Sequence, residues 1–181
     1  MSRSNQTKQL LAESLQDLMV TAPLEKISVN DIVEHAGVGR NTFYYHFEDK
    51  YDLVNWYFQN GATHFLVEHS RHGDWRSLLL GLEEYFRENK VFYRNALEYT
   101  GQNSLQEYIF TFLKEFFMQR LLEHSSSIDL DEANFATTFM AGACMGILMT
   151  WVRDDMKSNL QEHYSALIAL HNGDLIKALL D

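Results

Sequence analysis

The stretch that decides the fold is residues 28–47, which read SVNDIVEHAGVGRNTFYYHF. Its first half places apolar side chains at the i, i+3, i+4, i+7 spacing of one helix face, namely Val29, Ile32, Val33 and Ala36. In the second half, Phe43 and Phe47 lie four residues apart and form a second apolar stripe. Because Gly37 suits a left-handed helix end and Val38 can pack between the two segments, the stretch predicts a helix-turn-helix.

The second helix of this motif is expected to face outward and to enter the major groove of DNA. Polar side chains on it can read base edges, and helix N-termini at Ser28 and Lys50 can receive phosphates. We therefore predict that DNA is bound by Ser28, Gly39, Arg40, Asn41, Thr42, Tyr44, Tyr45, His46 and Lys50. Ser28 and Asp31 also have the spacing of a helix-capping pair, so a cap and a phosphate contact remain alternatives for Ser28.

These residues resemble the TetR family of transcriptional regulators, whose N-terminal domain carries the pattern Thr/Ser-Val-x-x-Ile-x-x-x-Ala-Gly-Val. The recognition helix of that family ends in Phe-Tyr-x-His/Tyr-Phe, as residues 43–47 do here. The resemblance covers roughly residues 8–58. Gly39 stands where the family often has a serine cap, and Asn41 stands where a small residue is commoner. A glycine cap in place of serine costs only a few tenths of a kcal/mol, so the fold is still expected.

The resemblance implies a DNA-binding domain over residues 1–48 and a C-terminal regulatory and dimerisation domain over residues 49–181. It implies a homodimer that binds a pseudo-palindromic operator as a repressor, controlled by a small-molecule or protein effector on the C-terminal domain. Within the family, residues 43–53 and 100–104 are similar to regulators of the dihydroxyacetone-kinase activator kind. That similarity implies a protein co-regulator at the C-terminal surface instead of a small molecule.

The charge of the N-terminal region argues against this interpretation. Up to Asn55 the chain has five basic and eight acidic residues, and the whole chain carries a formal net charge of −10. DNA-binding domains are usually basic, because affinity for any duplex grows with the number of phosphates neutralised. Arg3 and Lys8, expected in a mobile N-terminal arm, can offset part of the deficit. The alternative is a TetR-like interaction protein or coactivator without DNA binding of its own.

Composition points to an all-α protein, because one proline and nine glycines in 181 residues leave long helical patterns uninterrupted. A single cysteine, Cys144, rules out an internal disulfide framework and favours a reducing compartment. The polar first residues show no secretory signal, so we expect a cytoplasmic protein. No nucleophile elbow, phosphate-binding glycine loop or His-Glu-x-x-His motif occurs, and we predict neither an enzyme nor a cofactor.

Residues 133–152 contain no charged side chain and approach the length of a membrane span, about 20 residues. Polar residues and glycines dilute this segment, so we predict a buried helix and no membrane contact. A helix that is apolar on all sides needs cover on all sides, and we expect part of that cover from a second copy of the chain. The predicted dimer interface consists of Phe139, Ala143, Gly146, Ile147, Thr150, Trp151, Tyr164, Leu167 and Ile168.

Aromatic side chains are frequent in the C-terminal half and can line an effector pocket or simply fill the core. The pocket hypothesis names Tyr85, Phe86, Tyr93, Tyr108 and Phe112. A possible metal stripe of His64, Glu68 and His72 has i, i+4, i+8 spacing but no further ligand, and we predict no metal site.

Overall fold

The computed structural model describes residues 3–70, 83–124 and 129–159, and these residues form helices without any strand. The elements are α1 (Arg3–Met19), a 3-10 turn (Leu24–Lys26), α2 (Val29–His35), α3 (Arg40–His46), α4 (Lys50–Ser70), α5 (83–88), α6 (Lys90–Glu98), α7 (Leu105–His124) and α8 (Leu130–Arg153). The predicted all-α fold is confirmed. The predicted dimer residues Tyr164, Leu167 and Ile168 lie outside the described residues.

Helix α1 begins earlier than the apolar pattern indicated, which changes the position of Lys8. This residue lies inside α1, and its ammonium is 5.3 Å from the ring centroid of Phe47 and 5.6 Å from that of Trp56. A lysine above aromatic rings is held by cation–π attraction. The expectation that Lys8 belongs to a mobile arm is therefore wrong.

The helix-turn-helix forms with the local signals that the sequence contains. The Ser28 hydroxyl accepts a hydrogen bond from the Asp31 N–H, and the Asp31 carboxylate accepts one from the Ser28 N–H, which starts α2 with a capping box. Gly37 ends α2 with φ of 67°, and the N–H groups of Gly37 and Val38 donate to the carbonyls of Glu34 and Val33. This is a Schellman motif, as the position of Gly37 predicted.

A single core joins the helix-turn-helix to the rest of the described chain. Its members from α1 to α4 include Leu11, Leu15, Ile32, Phe43, Phe47, Leu53, Val54 and Phe58, and its members from α5 to α8 include Phe86, Phe92, Tyr93, Leu97 and Trp151. Helix α4 connects the two groups because it contacts both α1 and α7. Movement of α5–α8 can therefore reach the helix-turn-helix through packed side chains.

The short segment between α1 and α2 is held from two sides by polar side chains. The Lys50 ammonium donates to the carbonyls of Leu24, Glu25 and Ile27 at 2.7, 3.0 and 2.6 Å. On the other side, the Asn95 amide from α6 accepts from the Leu24 N–H at 2.7 Å and donates to the carbonyls of Met19 and Ala22. These contacts satisfy backbone groups that the helices leave without partners.

Lys50 was predicted to bind a DNA phosphate, and the structure corrects this expectation. An ammonium group has three donors, and all three are directed at carbonyls of its own chain. Burial lowers the pKa of Lys50, which is the direction expected for an amine removed from water. Lys50 therefore anchors the segment between α1 and α2.

Gly37→Ala is expected to lower the free energy of unfolding by about 1 to 2 kcal/mol, because alanine is strained at positive φ. An added Cβ would meet no atom within 4 Å, so the loss would come from the backbone alone. Equilibrium urea unfolding at fixed protein concentration, followed by circular dichroism, measures it. Gly39→Ser is the control, since Gly39 has φ of −79° and serine is a better cap there. Equal stability of the Gly37 variant and wild type would contradict the assignment.

Lys50→Met is expected to destabilise the protein by about 1 to 3 kcal/mol, since it keeps the aliphatic stem but leaves three carbonyls without their charged donor. Lys26→Met, at an exposed lysine of the same segment, should stay within about 0.5 kcal/mol of wild type. The same unfolding assay measures both. A Lys50→Met protein with unchanged stability but weaker DNA binding would restore the phosphate interpretation.

Candidate DNA-binding surface

Helix α3 has one buried side and one exposed side. Phe43 is fully buried and packs against Phe47, with ring centroids 5.8 Å apart. On the opposite side Tyr44 and Tyr45 are 48% and 82% exposed, although both are large aromatic residues. An exposed tyrosine next to polar neighbours is typical of a binding surface, because its ring and hydroxyl can both contact a partner.

The other predicted DNA contacts lie on or beside the same exposed side. Arg40 and Asn41 are exposed in the first turn of α3, and Thr42 and His46 are half-buried. The ring of Tyr45 lies edge-on to that of His46, with centroids 4.9 Å apart. The structure thus brings together the α3 residues that the sequence pattern nominated.

Two further predicted contacts, Ser28 and Gly39, lie at the N-termini of α2 and α3. The Ser28 hydroxyl is engaged with Asp31, both as acceptor from its N–H and as donor to its carboxylate. The Ser28 backbone N–H and, to a lesser extent, the Ser28 hydroxyl donate to the Asp31 carboxylate, and these two hydrogen bonds lower the pKa of Asp31 below its usual value. Gly39 precedes α3 as its N-cap without a side-chain hydrogen bond. Of the two alternatives for Ser28, the structure supplies direct contacts for the cap.

Arg40 has partners that the sequence analysis did not identify. Its Nη1 donates to the Asn30 Oδ1 at 3.2 Å, and its Nη2 donates to the Tyr44 hydroxyl at 3.3 Å. The guanidinium carbon also lies 5.5 Å from the Tyr44 ring centroid. Tyr44 is one turn from Arg40, a spacing that favours contact on a helix. Asn30 is on α2, and only the crossing of the two helices brings it close.

The predicted dimer residues of α8 divide into two groups. Phe139 is 64% exposed, Gly146 and Thr150 are exposed on the same helix, and Ala143 and Ile147 are half-buried. Trp151 is different, because it is 1% exposed within its own chain.

The prediction for Trp151 is corrected by its contacts. Its indole N–H donates to the Ser158 carbonyl at 2.8 Å, and its ring lies against Phe86 and beneath the Arg87 guanidinium. A side chain that is already covered by its own chain has no surface left for a partner. Trp151 therefore belongs to the core of its own chain.

The aromatic residues of the pocket hypothesis pack against one another. Phe58 lies 6.2 Å from Phe86, 6.2 Å from Tyr93, 6.0 Å from Tyr108 and 6.3 Å from Phe112 between ring centroids. Phe86 and Tyr93 are buried in the core, and burial raises the pKa of Tyr93. The Tyr93 hydroxyl donates to that of Tyr85 at 2.7 Å, and burial raises the pKa of Tyr85 to about 12. The contacts of Phe86 and Tyr93 match the core-packing alternative, and the effector pocket stays a prediction.

A groove with a volume of about 740 Å³ lies along α7. Its lining residues are Thr111, Lys114, Glu115, Met118, Gln119, Leu122 and Glu123. None of the five aromatic residues of the pocket hypothesis belongs to this lining.

Helix α8 is long and apolar enough to cross a membrane, and it is the one such helix in the described part of the chain. Only 22% of its most apolar window is buried by the chain itself. Most of that window is therefore not buried within a single copy of the chain. The structure does not describe the side chains of His64, Glu68 and His72, the residues of the possible metal stripe.

Two family models match the sequence. Residues 16–57 match the family described as bacterial regulatory proteins of the tetR family. Residues 73–173, more than half of the chain, match a TetR C-terminal family described as transcriptional regulator C-terminal region. The two matches include the helix-turn-helix and most of the C-terminal part.

Curated relatives include DhaS of Lactococcus lactis, named as an HTH-type dhaKLM operon transcriptional activator. It is 34% identical over 94 residues, which are 52% of this chain and 50% of DhaS. An HTH-type transcriptional regulator of Staphylococcus aureus is 28% identical over 119 residues, covering 62% of this chain and 64% of that protein. The matches thus span about half to two thirds of the length of these relatives.

Solved structures share the fold along nearly the whole chain. The dihydroxyacetone kinase operon activator DhaS has a TM-score of 0.64 at 23% identity, with 93% of this chain and 95% of that chain covered. NalD, the secondary repressor of the MexAB-OprM multidrug efflux pump in Pseudomonas aeruginosa, has a TM-score of 0.58 at 16% identity, with 90% and 93% covered. The helix-turn-helix, the all-α architecture and both family matches agree, and the chain belongs to the TetR family of DNA-binding transcriptional regulators.

Proposed function

We propose that this regulator is a cytoplasmic homodimer that binds a pseudo-palindromic operator through residues 1–48 and receives its control signal through residues 49–181. The observation that carries the proposal is the exposed side of α3, where Tyr45 is 82% exposed beside Arg40 and Asn41. A recognition helix contacts base edges with its N-terminal residues, and these residues are polar here. Two such helices related by a two-fold axis would meet half-sites on one face of the duplex.

The proposed DNA contacts divide by position on the surface. Arg40, Asn41 and Thr42, in the first turn of α3, are assigned to base edges. Tyr44, Tyr45 and His46 follow along the same helix and are assigned to bases or to the sugar-phosphate backbone. Ser28 and Gly39 precede helices whose N–H groups favour an anion, and they are assigned to phosphates.

The second copy of the chain is proposed to cover the exposed side of α8. Phe135 and Phe139 are 74% and 64% exposed, and Gly142 and Gly146 leave room for a helix to approach closely. Single exposed apolar side chains are ordinary, whereas a row along one helix marks an interaction surface. Phe139, Ala143, Gly146, Ile147 and Thr150 remain in the proposed interface, and Trp151 is removed from it.

Control is proposed to reach the DNA-binding helices through α4 and α6. Asn95 of α6 holds the backbone at Met19, Ala22 and Leu24. A ligand or co-regulator that favours one position of α6 would shift the equilibrium between two positions of the DNA-binding helices. The free energy of that shift is limited to the difference in its binding free energy to the two states. The similarity to DhaS, which is named an activator, favours positive control, whereas NalD is named a repressor. A promoter reporter with and without the gene measures the sign.

A second candidate function is a TetR-like interaction protein that does not bind DNA unaided. It is favoured by the excess of acidic over basic residues in the N-terminal region, eight against five up to Asn55. Lys50 is engaged with backbone carbonyls, which removes one more cation from the DNA-binding surface. Binding to duplexes at low and moderate salt separates the two functions.

Arg40→Ala and Tyr45→Ala are each expected to weaken specific DNA binding by about 1 to 3 kcal/mol, because each removes a contact to base or backbone. Fluorescence anisotropy with duplexes tiled across the region upstream of the gene measures this loss. Lys157→Ala, which removes an exposed cation beyond α8, is the charge-matched control and should bind as wild type does. Wild-type protein that binds none of these duplexes at low salt would favour the interaction-protein function.

Phe139→Asp is expected to convert the dimer to a monomer, because it places a carboxylate in an apolar interface. Sedimentation equilibrium measures the mass of the variant and of the wild type. Val20→Asp, at a residue that is 68% exposed on the N-terminal part, is the matched control and should remain dimeric. A wild-type protein that sediments as a monomer would contradict the homodimer.

A further inference from the structure

The Arg40 guanidinium, at the start of the recognition helix, is held by hydrogen bonds to Asn30 and Tyr44. We propose that Asn30 is a positioning residue that orients Arg40 to read a guanine in each half-site. The inference rests on the proposed DNA-binding function and specifies the base that the surface recognises. Asn30 is on α2 and was absent from the residues that the sequence nominated.

The hydrogen bonds of Arg40 leave enough donors for a base. A guanidinium has five N–H donors, and the bonds to the Asn30 Oδ1 and the Tyr44 hydroxyl use one on each Nη. Three donors remain, including one on each Nη. A bidentate contact to the O6 and N7 of guanine needs two. The cluster therefore orients the side chain without exhausting it.

The charge of Arg40 is also left available for DNA. Its two partners are a neutral amide and a neutral phenol, and no carboxylate pairs with it in the described ranges. A cation held by neutral groups keeps its full charge for the duplex. By contrast, Arg94 and Lys90 are both paired with Asp155. Of these three cations, Arg40 is the one whose fixed contacts are all neutral.

A fixed guanidinium favours base recognition over simple phosphate attraction. A free arginine side chain loses rotamer entropy when it is immobilised. Contacts to Asn30, and to the ring and hydroxyl of Tyr44, supply part of that ordering before DNA arrives. Phosphates accept a cation in many orientations, whereas a guanine edge requires the plane of the fork to match. The restraint on Arg40 is therefore useful chiefly for contact with a guanine edge.

The test is selection of bound duplexes from a randomised library with wild-type protein, followed by anisotropy on the selected duplex. The variants are Asn30→Ala, Asn30→Asp and Arg40→Ala, and Asn60→Ala at an exposed asparagine of α4 is the matched control. Replacing the selected guanine by adenine should weaken wild-type binding roughly tenfold or more. With Asn30→Ala and with Arg40→Ala, the same replacement should change binding less than about threefold. Asn60→Ala should behave as wild type.

Two further readouts separate positioning from a structural effect. Asn30→Ala removes no charge, so its affinity for a scrambled duplex and its salt dependence should equal those of wild type. Asn30→Asp keeps an acceptor for Arg40 and should retain the preference for guanine, although its added negative charge weakens binding to all duplexes. Circular dichroism of each variant reports its folding.

Several results would overturn the inference while leaving the proposed function intact. These are an undiminished guanine preference in Asn30→Ala, an equal loss of affinity for selected and scrambled duplexes, or an Arg40→Ala variant that keeps the wild-type preference at every guanine of the selected motif. A wild-type protein that enriches no sequence would instead overturn the proposed function, and the inference with it. The two failures are therefore distinguishable by the behaviour of the wild type.

Discussion

The rest of the structure depends on how the backbone between α1 and α2 is held. This segment lies between helices, so its carbonyls need partners from elsewhere, and Lys50 supplies three hydrogen bonds at 2.6 to 3.0 Å. The Asn95 side chain of α6 accepts from the Leu24 N–H and donates to the carbonyls of Met19 and Ala22 in the same region. The position of the helix-turn-helix relative to α4 and α6 is thus fixed by directional polar contacts as well as by the apolar core. Polar contacts of this kind have defined geometry and modest net free energy, which suits the proposed regulator, whose helix-turn-helix is positioned by these contacts and moved by the signal.

Other contacts join the same elements and would extend the proposed control route through α4 and α6. The Tyr57 hydroxyl donates to the Asn89 Oδ1 at 2.9 Å and accepts from Gln16 of α1, so one small network connects α1, α4 and the start of α6. Tyr51 stacks on Tyr99 with ring centroids 4.1 Å apart, next to the loop that precedes α7. These are part-buried contacts between elements that also share one apolar core. A shift of α6 would therefore change several contacts of the DNA-binding part together, as a two-state element requires.

The parts of this structure that follow from local chemistry were accessible from sequence. The Ser28–Asp31 capping box, the left-handed Gly37 and the apolar stripe of α2 each depend on residues within one or two turns. Contacts between distant residues were not accessible: Asn30 meets Arg40 only because α2 and α3 cross at a particular angle, and Lys50 could be read equally well as a phosphate ligand. Trp151 was misassigned for a related reason. An almost wholly apolar helix gives no periodic signal for which side faces its own core.

The acidic N-terminal region and the exposed side of α8 have a common consequence for the proposed regulator. A DNA-binding part with more carboxylates than cations gains little from counterion release, so one copy alone should hold a half-site weakly. A second copy joined through α8 makes the second half-site contact intramolecular and multiplies the affinity without a new kind of contact. That gain exists only while the spacing of the two recognition helices matches the DNA. When the spacing of the recognition helices does not match that of the half-sites, little electrostatic attraction remains to hold the protein on DNA. A small change in that spacing should therefore release the operator almost completely. The acidic N-terminal region, which is unfavourable for DNA binding in isolation, would thus make the proposed homodimer more responsive to its signal.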